Sequence, residues 1–346
     1  MKKKTLATFF AILAAALYAI NVPLSKWLLQ KAEPTMMAAF LYLGAGIGLM
    51  LVRLAEGREK REAEAPLTRK ELPYTVGMVV LDIAAPILLM LGLSHTHASN
   101  ASLLNNFEIV AASLIAHFVF REVLSRRLIL AISLVTLASV LLSFEGAGSF
   151  QFNIGSLYVL GACCCWGLEN NCTRMLSSKS STQITTIKGC FSGLGSLVIA
   201  LVIGERLPPL PWIAGICLLG FVSYGLSINF YIKAQKDLGA AKTSAYYSIA
   251  PFLGVLFGML LLRERVGLQF CLAFAIMVAA TVLMVRDTIS LQHSHTHTHV
   301  HTHEHRHGDL VHTHEHSHTH THSHIHGADE GNHDHAHEEL GEHDPM

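Results

Sequence analysis

Charge is scarce in this sequence. Asp, Glu, Lys and Arg make up 14% of its 346 residues, against 51% apolar residues. Soluble domains carry roughly a quarter charged residues, so the deficit argues against a set of ordinary soluble domains. A P-loop pattern is missing, which argues against ATP hydrolysis by this chain. No hydrolytic motif and no basic nucleic-acid stripe are present either. The chain therefore reads as a non-enzyme that requires no cofactor and has no nucleic-acid partner. Its seven cysteines, at 163, 164, 165, 172, 190, 217 and 271, all sit in apolar stretches, away from histidine. That placement argues against a disulfide framework or a structural zinc site.

The charge that is present is divided. Residues 1–286 hold 24 Lys/Arg and 14 Asp/Glu, whereas residues 287–346 hold one Arg and 11 Asp/Glu. The first part is basic, as expected where loops face anionic lipid. It is also built of apolar runs of about 20 residues, the length of a bilayer-spanning helix. These runs predict spans at 6–30, 35–54, 73–93, 99–120, 127–145, 154–176, 183–203, 211–232, 243–262 and 267–285. Lys2-Lys3-Lys4 before the first run has the look of a signal peptide, but the run continues to Leu29, long enough to span. The segment 55–71 is too charged to enter lipid.

Positive charge sets the expected orientation. With the N-terminus in the cytoplasm, that side holds Lys2 to Lys4, Arg53, the 58–70 cluster, Arg121, Arg126, Arg127, Arg174, Lys179, Lys233, Lys236, Lys242 and Arg286. The opposite side holds Lys31, Arg206, Arg263 and Arg265. Both termini are expected in the cytoplasm of a multi-pass protein of the cell (inner or plasma) membrane.

A repeat is visible at an offset of 142 residues, where Ala101-Ser102 through Phe120-Arg121-Glu122 matches Thr243-Ser244 through Leu262-Arg263-Glu264. Near an offset of 148, Tyr18-Ala19 and Lys26 match Trp166-Gly167 and Arg174. Five helices per copy place the second copy upside down in the membrane, a signature of secondary transporters. The expected fold class is thus an all-α membrane protein of ten transmembrane helices, arranged as two inverted five-helix repeats over 1–146 and 147–286. A disordered His-rich tail follows over 287–346.

Two five-helix repeats, each with a small-residue-rich fourth helix ending in Arg-Glu, resemble the drug/metabolite transporter superfamily, in its EamA branch. The resemblance covers about residues 5–286. It implies a ten-helix bundle around a central cavity and the export or exchange of small metabolites. The second repeat has the family-like proline, Pro251, in its fourth helix; the first has Glu108-Ile109 there. The run Asn105-Asn106-Phe107-Glu108 looks specific to a sub-branch.

Ionisable groups in mid-membrane face a cavity or a partner by default. Asp82, Glu108 and Glu169 lie in mid-span, and Glu169 is followed by Asn170 and Asn171. The matching first helix carries Asn21. Asn21, Asp82, Glu108, Glu169 and Asn170 are therefore the candidate substrate-pathway residues, and a bond between helices is the competing reading for the carboxylates. A titrating carboxylate there could couple transport to protons. Lys26 and Lys188, nearer to span ends, read as snorkelling to the interface. Pro251 predicts a kink. Gly44/Gly48, Gly189/Gly193 and Gly254/Gly258 have the spacing of close helix packing. Glu122 and Glu264 read as ion pairs with their neighbouring arginines. His95 and His97 alone do not make a metal site.

The tail carries the sharpest local pattern, with 20 of the 23 histidines between His293 and His343. Alternate positions are histidine through His293, His295, His297, His299, His301, His303, His305 and His307. The alternation returns through His312, His314, His316, His318, His320, His322, His324 and His326. Its intervening Thr, Ser, Glu and Val cannot build a core. Neutral imidazoles ligate Zn, Ni, Co and Cu ions, so these sixteen are the candidate metal ligands, competing with a plain solvated tail.

Three functions fit. One is a secondary transporter, expected to export a small metabolite, with the tail as a metal buffer or sensor. Another is a transporter of a divalent metal (Zn, Ni, Co) or its chelate, fed by the tail. The third is a non-transporting membrane metal sensor or store. The expected partners are the lipid bilayer, a small-molecule substrate and divalent metal ions. The absence of an intramembrane His/Asp/Glu cluster favours the first.

Overall fold

The computed structural model describes residues 2–55, 67–121, 124–144, 153–176, 179, 181–307 and 310–325. The expectations that fall on Glu122 and His326 lie outside the described residues. The chain divides into two units, Met1–Arg286 and Asp287–Met346.

The first unit is built from ten helical rods. α1 runs Lys2–Ala19 and resumes as Asn21–Leu28 past Ile20. Then come α2 (Pro34–Ala55), α3 (Leu72–His95), and α4, which is Ala98–Leu104 and then Phe107–Phe120. α5 is Arg126–Ser143, α6 Ile154–Arg174 and α7 Ser181–Val202. α8 is Leu210–Gly220, a π-helical turn at Phe221–Leu226, and Ser227–Leu238. α9 is Ala240–Tyr247 and then Ala250–Leu262, and α10 is Leu268–Leu291. Among the described residues nine rods are both long and apolar enough to span a membrane, with mean hydropathy of 1.4 to 2.4. α6 has the length, 21 residues, or about 31 Å. Its hydropathy is lowered by Glu169, Asn170, Asn171 and Arg174.

The two copies of the repeat are related by a pseudo-two-fold exchange of neighbours. α3 packs on α6 as α8 packs on α1, and α4 packs on α6 as α9 packs on α1; α2 meets α7, and α4 meets α9, across the axis. The sense of the crossing shows the inversion. Gly254 lies against Ser102 and Gly258 against Ser99, each with room of only 2.7 Å between a would-be Cβ and the serine Oγ. Numbering falls on α4 as it rises on α9, so these corresponding helices run antiparallel. The α2–α7 crossing is closer. A Cβ on Gly189 would lie 2.5 Å from Gly46 Cα, and one on Gly193 would lie 2.7 Å from Leu43 N. Only glycine allows those backbones to touch, which is how membrane helices gain packing without a hydrophobic drive.

The repeat also shows in the backbone. Arg121 and Arg263 end α4 and α9 in the left-handed region, and they are the two non-glycine residues with positive φ among the described residues. Pro251 sits just past an interruption of α9 at Ser248-Ile249, as the sequence predicts. α4 is interrupted at the equivalent place, Asn105-Asn106, without a proline; there Asn106 Nδ2 donates to Leu103 O at 3.0 Å.

Two glutamates from the second repeat close helix N-termini in the first. Glu205 accepts from the backbone N–H of Thr35 and Met36 at 3.1 and 2.7 Å. Glu264 accepts from the N–H of Ala98 and Ser99 at 2.7 and 2.8 Å, and from Ser99 Oγ at 2.7 Å. Glu264 thus caps α4, correcting its reading as an ion pair with arginine. The first N–H groups of a helix have no partner of their own, which makes them a stronger attraction than an exposed guanidinium. The outer rods turn large apolar side chains outward, among them Phe118, Val202, Leu210 and Leu268, all more than three-quarters exposed. That surface suits lipid rather than water.

In the second unit the backbone of β1 (Gln292–His307) pairs antiparallel with β2 (Leu310–Ile325), with His293 opposite His324 and His305 opposite His312. The sequence predicts disorder here, and the paired backbone differs from that expectation. The physical link is the period of two, which suits an extended chain. A lone two-stranded ladder is marginal in water, so this pairing is compatible with a tail that holds no fixed fold.

Candidate functional site

Two buried carboxylates and a half-buried lysine meet where α3, α6 and α7 cross. Lys188 Nζ lies 3.1 Å from Asp82 Oδ2 and 2.9 Å from Glu169 Oε2. The Asp82 side chain is fully buried, Glu169 is 1% exposed and Lys188 is 23% exposed. Tyr42 from α2 donates its hydroxyl to Asp82 Oδ1 at 3.1 Å, and Trp166 Nε1 donates to that same hydroxyl at 3.4 Å. Thr173, one turn beyond Glu169, donates to Glu169 Oε1. Removing charges from water is costly unless each is paired and hydrogen-bonded; here Lys188 pairs with both carboxylates and Tyr42 and Thr173 donate to them, while Asp82 Oδ2 has the ion pair but no hydrogen bond. Lys188 does not snorkel. Its sequence reading failed because two carboxylates on other helices, distant in sequence, offer a nearer partner than the interface.

The second copy repeats this arrangement without charge. On the 142-residue offset Asp82 corresponds to Tyr224, and on the 148-residue offset Glu169 corresponds to Asn21. Asn21 Nδ2 donates to Tyr224 Oη at 2.8 Å. Ser25 donates to Asn21 Oδ1 at 3.2 Å, and Ser223, from the π-helical turn, approaches it at 3.5 Å. Tyr42 joins the halves, because its ring lies 5.5 Å from that of Tyr224.

Beside these pairs the tyrosine rings gather in a cluster. The rings of Tyr18 and Tyr224 are 5.9 Å apart, those of Tyr18 and Tyr247 5.7 Å, and those of Tyr231 and Tyr247 5.1 Å. Several hydroxyls are held from behind. Tyr231 and Ser244 share a bond of 2.8 Å, and Tyr247 meets Ser227 at 3.4 Å. Each of these rings is partly accessible although it sits between helices. Glu108, in the first turn after the break in α4, lies within electrostatic reach of Tyr18, Tyr224 and Tyr247. Asn170 Nδ2 donates to Glu108 Oε1 at 2.6 Å. The structure therefore sorts the five candidate pathway residues into three places. Asp82 and Glu169 join through Lys188, Glu108 and Asn170 hold each other near the tyrosine cluster, and Asn21 pairs with Tyr224. Sequence reasoning missed Lys188, Tyr18, Tyr42, Trp166, Tyr224 and Tyr247. The match of Tyr18 to Trp166 was the available signal.

A cavity of about 570 Å³ opens at the bundle end where α3 turns into α4 and α9 into α10. Lys26, His95, His97, Asn100, Glu264 and Arg265 are among its lining residues. Lys26 Nζ donates to Leu93 O at 2.5 Å, at the C-terminal end of α3, where a cation is favoured by the helix dipole.

An all-helical bundle with inverted copies, helices broken at matched positions, and polar groups gathered at the interface of the copies has the build of a transporter. The model of the EamA-like transporter family matches residues 5–144 and 153–286. The chain belongs to that family. It is similar to an uncharacterized transporter of Methanothermobacter thermautotrophicus, with 28% identity over 291 residues covering 79% of this chain and 84% of the relative. It is similar also to the S-adenosylmethionine/S-adenosylhomocysteine transporter of Chlamydia muridarum, with 24% identity over 292 residues covering 79% and 90% of the two chains. A crystal structure of a protein at 17% identity superposes with a TM-score of 0.60, covering 82% of this chain and 97% of the other, and shows the same fold. As an EamA-type membrane transporter the protein works in a lipid bilayer on a small molecule.

Proposed function

We propose that this protein is a secondary transporter exporting a small organic metabolite with a cationic centre across the cell membrane, with both termini cytoplasmic. The observation that carries the reading is the cluster of Tyr18, Tyr224 and Tyr247, each within electrostatic reach of the Glu108 carboxylate, which we read as the wall of a substrate chamber. A cation over a tyrosine face gains roughly 0.5–2 kcal/mol per ring when water is excluded, and Glu108 supplies the opposite charge. The C. muridarum relative is named for S-adenosylmethionine, a sulfonium compound, which suits such a chamber. The breaks in α4 and α9 lie beside it, where two half-helices can re-orient around a fixed site. Orientation follows from the excess of Lys and Arg at the bundle end that carries the N-terminus.

The tail is a cytoplasmic accessory in this reading. Its alternating histidines bind Zn, Ni, Co or Cu ions as buffer or sensor. Metal as cargo has less support, since no group of three or more His, Cys, Asp or Glu placed to hold an ion occurs among the described residues.

The test uses purified full-length protein in liposomes loaded with S-adenosylmethionine, and, in parallel, metabolite profiling of a deletion strain with and without added Zn, Ni and Co. Saturable movement of S-adenosylmethionine or of another cationic metabolite supports the reading. Movement confined to anionic or uncharged compounds, or to the metals themselves, overturns it.

A further inference from the structure

We propose that the Asp82–Glu169 pair, bridged by Lys188, is the proton-binding site that drives transport, and that it acts on the substrate chamber through α6. This rests on the reading of the protein as a secondary transporter and names its coupling ion.

With all three groups ionised, the cluster carries two negative charges and one positive, buried among helices. One further proton makes it neutral. A buried set that stands one proton away from neutrality is suited to hold that proton in one conformation and lose it in another. A metal cation is a poor alternative. Hard divalent ions take about six oxygen ligands, whereas two carboxylates offer four oxygens at most, Tyr42 and Thr173 already donate to two of these, and the Lys188 ammonium lies between the carboxylates; Asp82 Oδ2, buried without a hydrogen bond, is an acceptor open to a proton. A proton needs a single oxygen and leaves the ammonium in place. The proton comes from water and returns to water; Lys188 keeps its own.

The surroundings fit an ion site with access from one side. Met78, Leu176 and Ile184, all buried, form an apolar cluster one turn or so from Asp82, Thr173 and Lys188. Lys188 keeps 23% of its side chain accessible. The other polar and titratable groups facing the cluster are Tyr42 from α2, Glu108 from α4, Cys172 and Thr173 from α6 and Tyr224 from α8.

The link to the substrate is one residue long. Glu169 turns to Lys188, and its neighbour Asn170 turns the other way and holds Glu108 at 2.6 Å. A proton on the pair weakens the tie of α7 to α6 and lets Lys188 settle on the carboxylate that remains charged. The resulting shift of α6 moves Asn170, and with it the orientation of Glu108 in the chamber. Protons bound from one side and a cation held by Glu108 therefore exclude or favour each other through a single helix.

Two measurements test this. Difference infrared spectroscopy of the full-length protein in lipid, without substrate, is expected to show one carboxylic-acid carbonyl band that grows as pH is lowered. That band should disappear in Asp82→Asn or Glu169→Gln and persist in Glu264→Gln. If it is absent in the wild type, or unchanged in both pair variants, the inference fails whatever the protein transports. In liposomes preloaded with S-adenosylmethionine, an imposed pH gradient should drive accumulation by the wild type. In Glu169→Gln, accumulation should fall to the level of the gradient-free control, while the variant keeps the folded, monodisperse peak of the wild type in size-exclusion chromatography. Gradient-driven accumulation that survives in Glu169→Gln overturns the coupling role. A wild type that transports nothing overturns the transport reading instead, and the infrared band then decides the proton site by itself. If Asp82→Asn does not fold, Glu169→Gln carries both readouts.

Discussion

Arg121 and Arg263, 142 residues apart, take the same left-handed backbone conformation, with φ of 56° and 54°. Each ends the fourth helix of its repeat. A non-glycine residue in that region costs about 1–2 kcal/mol. Arg263→Gly and Arg121→Gly are therefore expected to leave thermal stability unchanged or raised in detergent unfolding curves. Arg263→Val should lower the melting midpoint by several degrees, because a β-branched residue resists positive φ. If valine were tolerated as well as glycine, the turn would not depend on that conformation.

The α2–α7 crossing has no space for a side chain. Gly46→Val and Gly189→Val should separate the helices and abolish the folded, monodisperse peak in size-exclusion chromatography. Gly204→Ala tests a different constraint. A Cβ there meets nothing within 4 Å, but φ is +83°, so a penalty of only about 1 kcal/mol is expected. Equal behaviour of these variants would mean that contact between α2 and α7 is not what holds them.

Glu264→Ala removes the partner of two N–H groups at the start of α4. The expected loss is about 1–3 kcal/mol, the range for buried donors left unsatisfied. It should appear as faster hydrogen exchange at Ala98 and Ser99, and Glu264→Gln should recover part of it. Protection unchanged in Glu264→Ala would show that water caps the helix equally well.

Glu108→Gln keeps the shape of the chamber and removes its charge. Binding of a cationic substrate should weaken by about tenfold or more, while the folded peak is retained. An uncharged analogue should bind both forms alike. If the cationic substrate bound Glu108→Gln as tightly as the wild type, Glu108 would be a structural partner of Asn170 and not a binding group.

For the tail, the peptide 290–346 should bind several Zn or Ni ions by calorimetry. It should release them as pH falls through about 6.5, where imidazole takes up a proton and ceases to be a ligand. Truncation after Arg286 should leave metabolite transport in place and change only its response to metal. Identical responses in the full-length and truncated proteins would remove the tail from any role in metal sensing.

The ten helices were legible from hydropathy, and α6 was legible despite its polar end because the repeat requires it. The break in α9 was marked by Pro251. The matching break in α4 had no such mark, since there Asn106 bonds its side chain to the Leu103 carbonyl, a local competition with the helix that propensity alone does not locate. Asp82, Glu108 and Glu169 stood out because charge is rare in lipid. Their partners did not. Lys188 pairs across 106 and 19 positions of chain, and Tyr224 looks like any apolar aromatic until the 142-residue offset is carried from α4 back to α3.

The two long-range glutamate caps set an order of assembly. Glu205 serves backbone groups made 169 and 170 residues earlier, and Glu264 serves groups made 165 and 166 residues earlier. While the nascent chain leaves the ribosome, α2 and α4 lie in the bilayer with their first N–H groups open, until the loops that end α7 and α9 arrive. Until then the first repeat lacks both caps. A chain stopped before residue 205 would expose two uncapped helix starts to quality-control proteases, and release from surveillance would wait for the turn that follows α9.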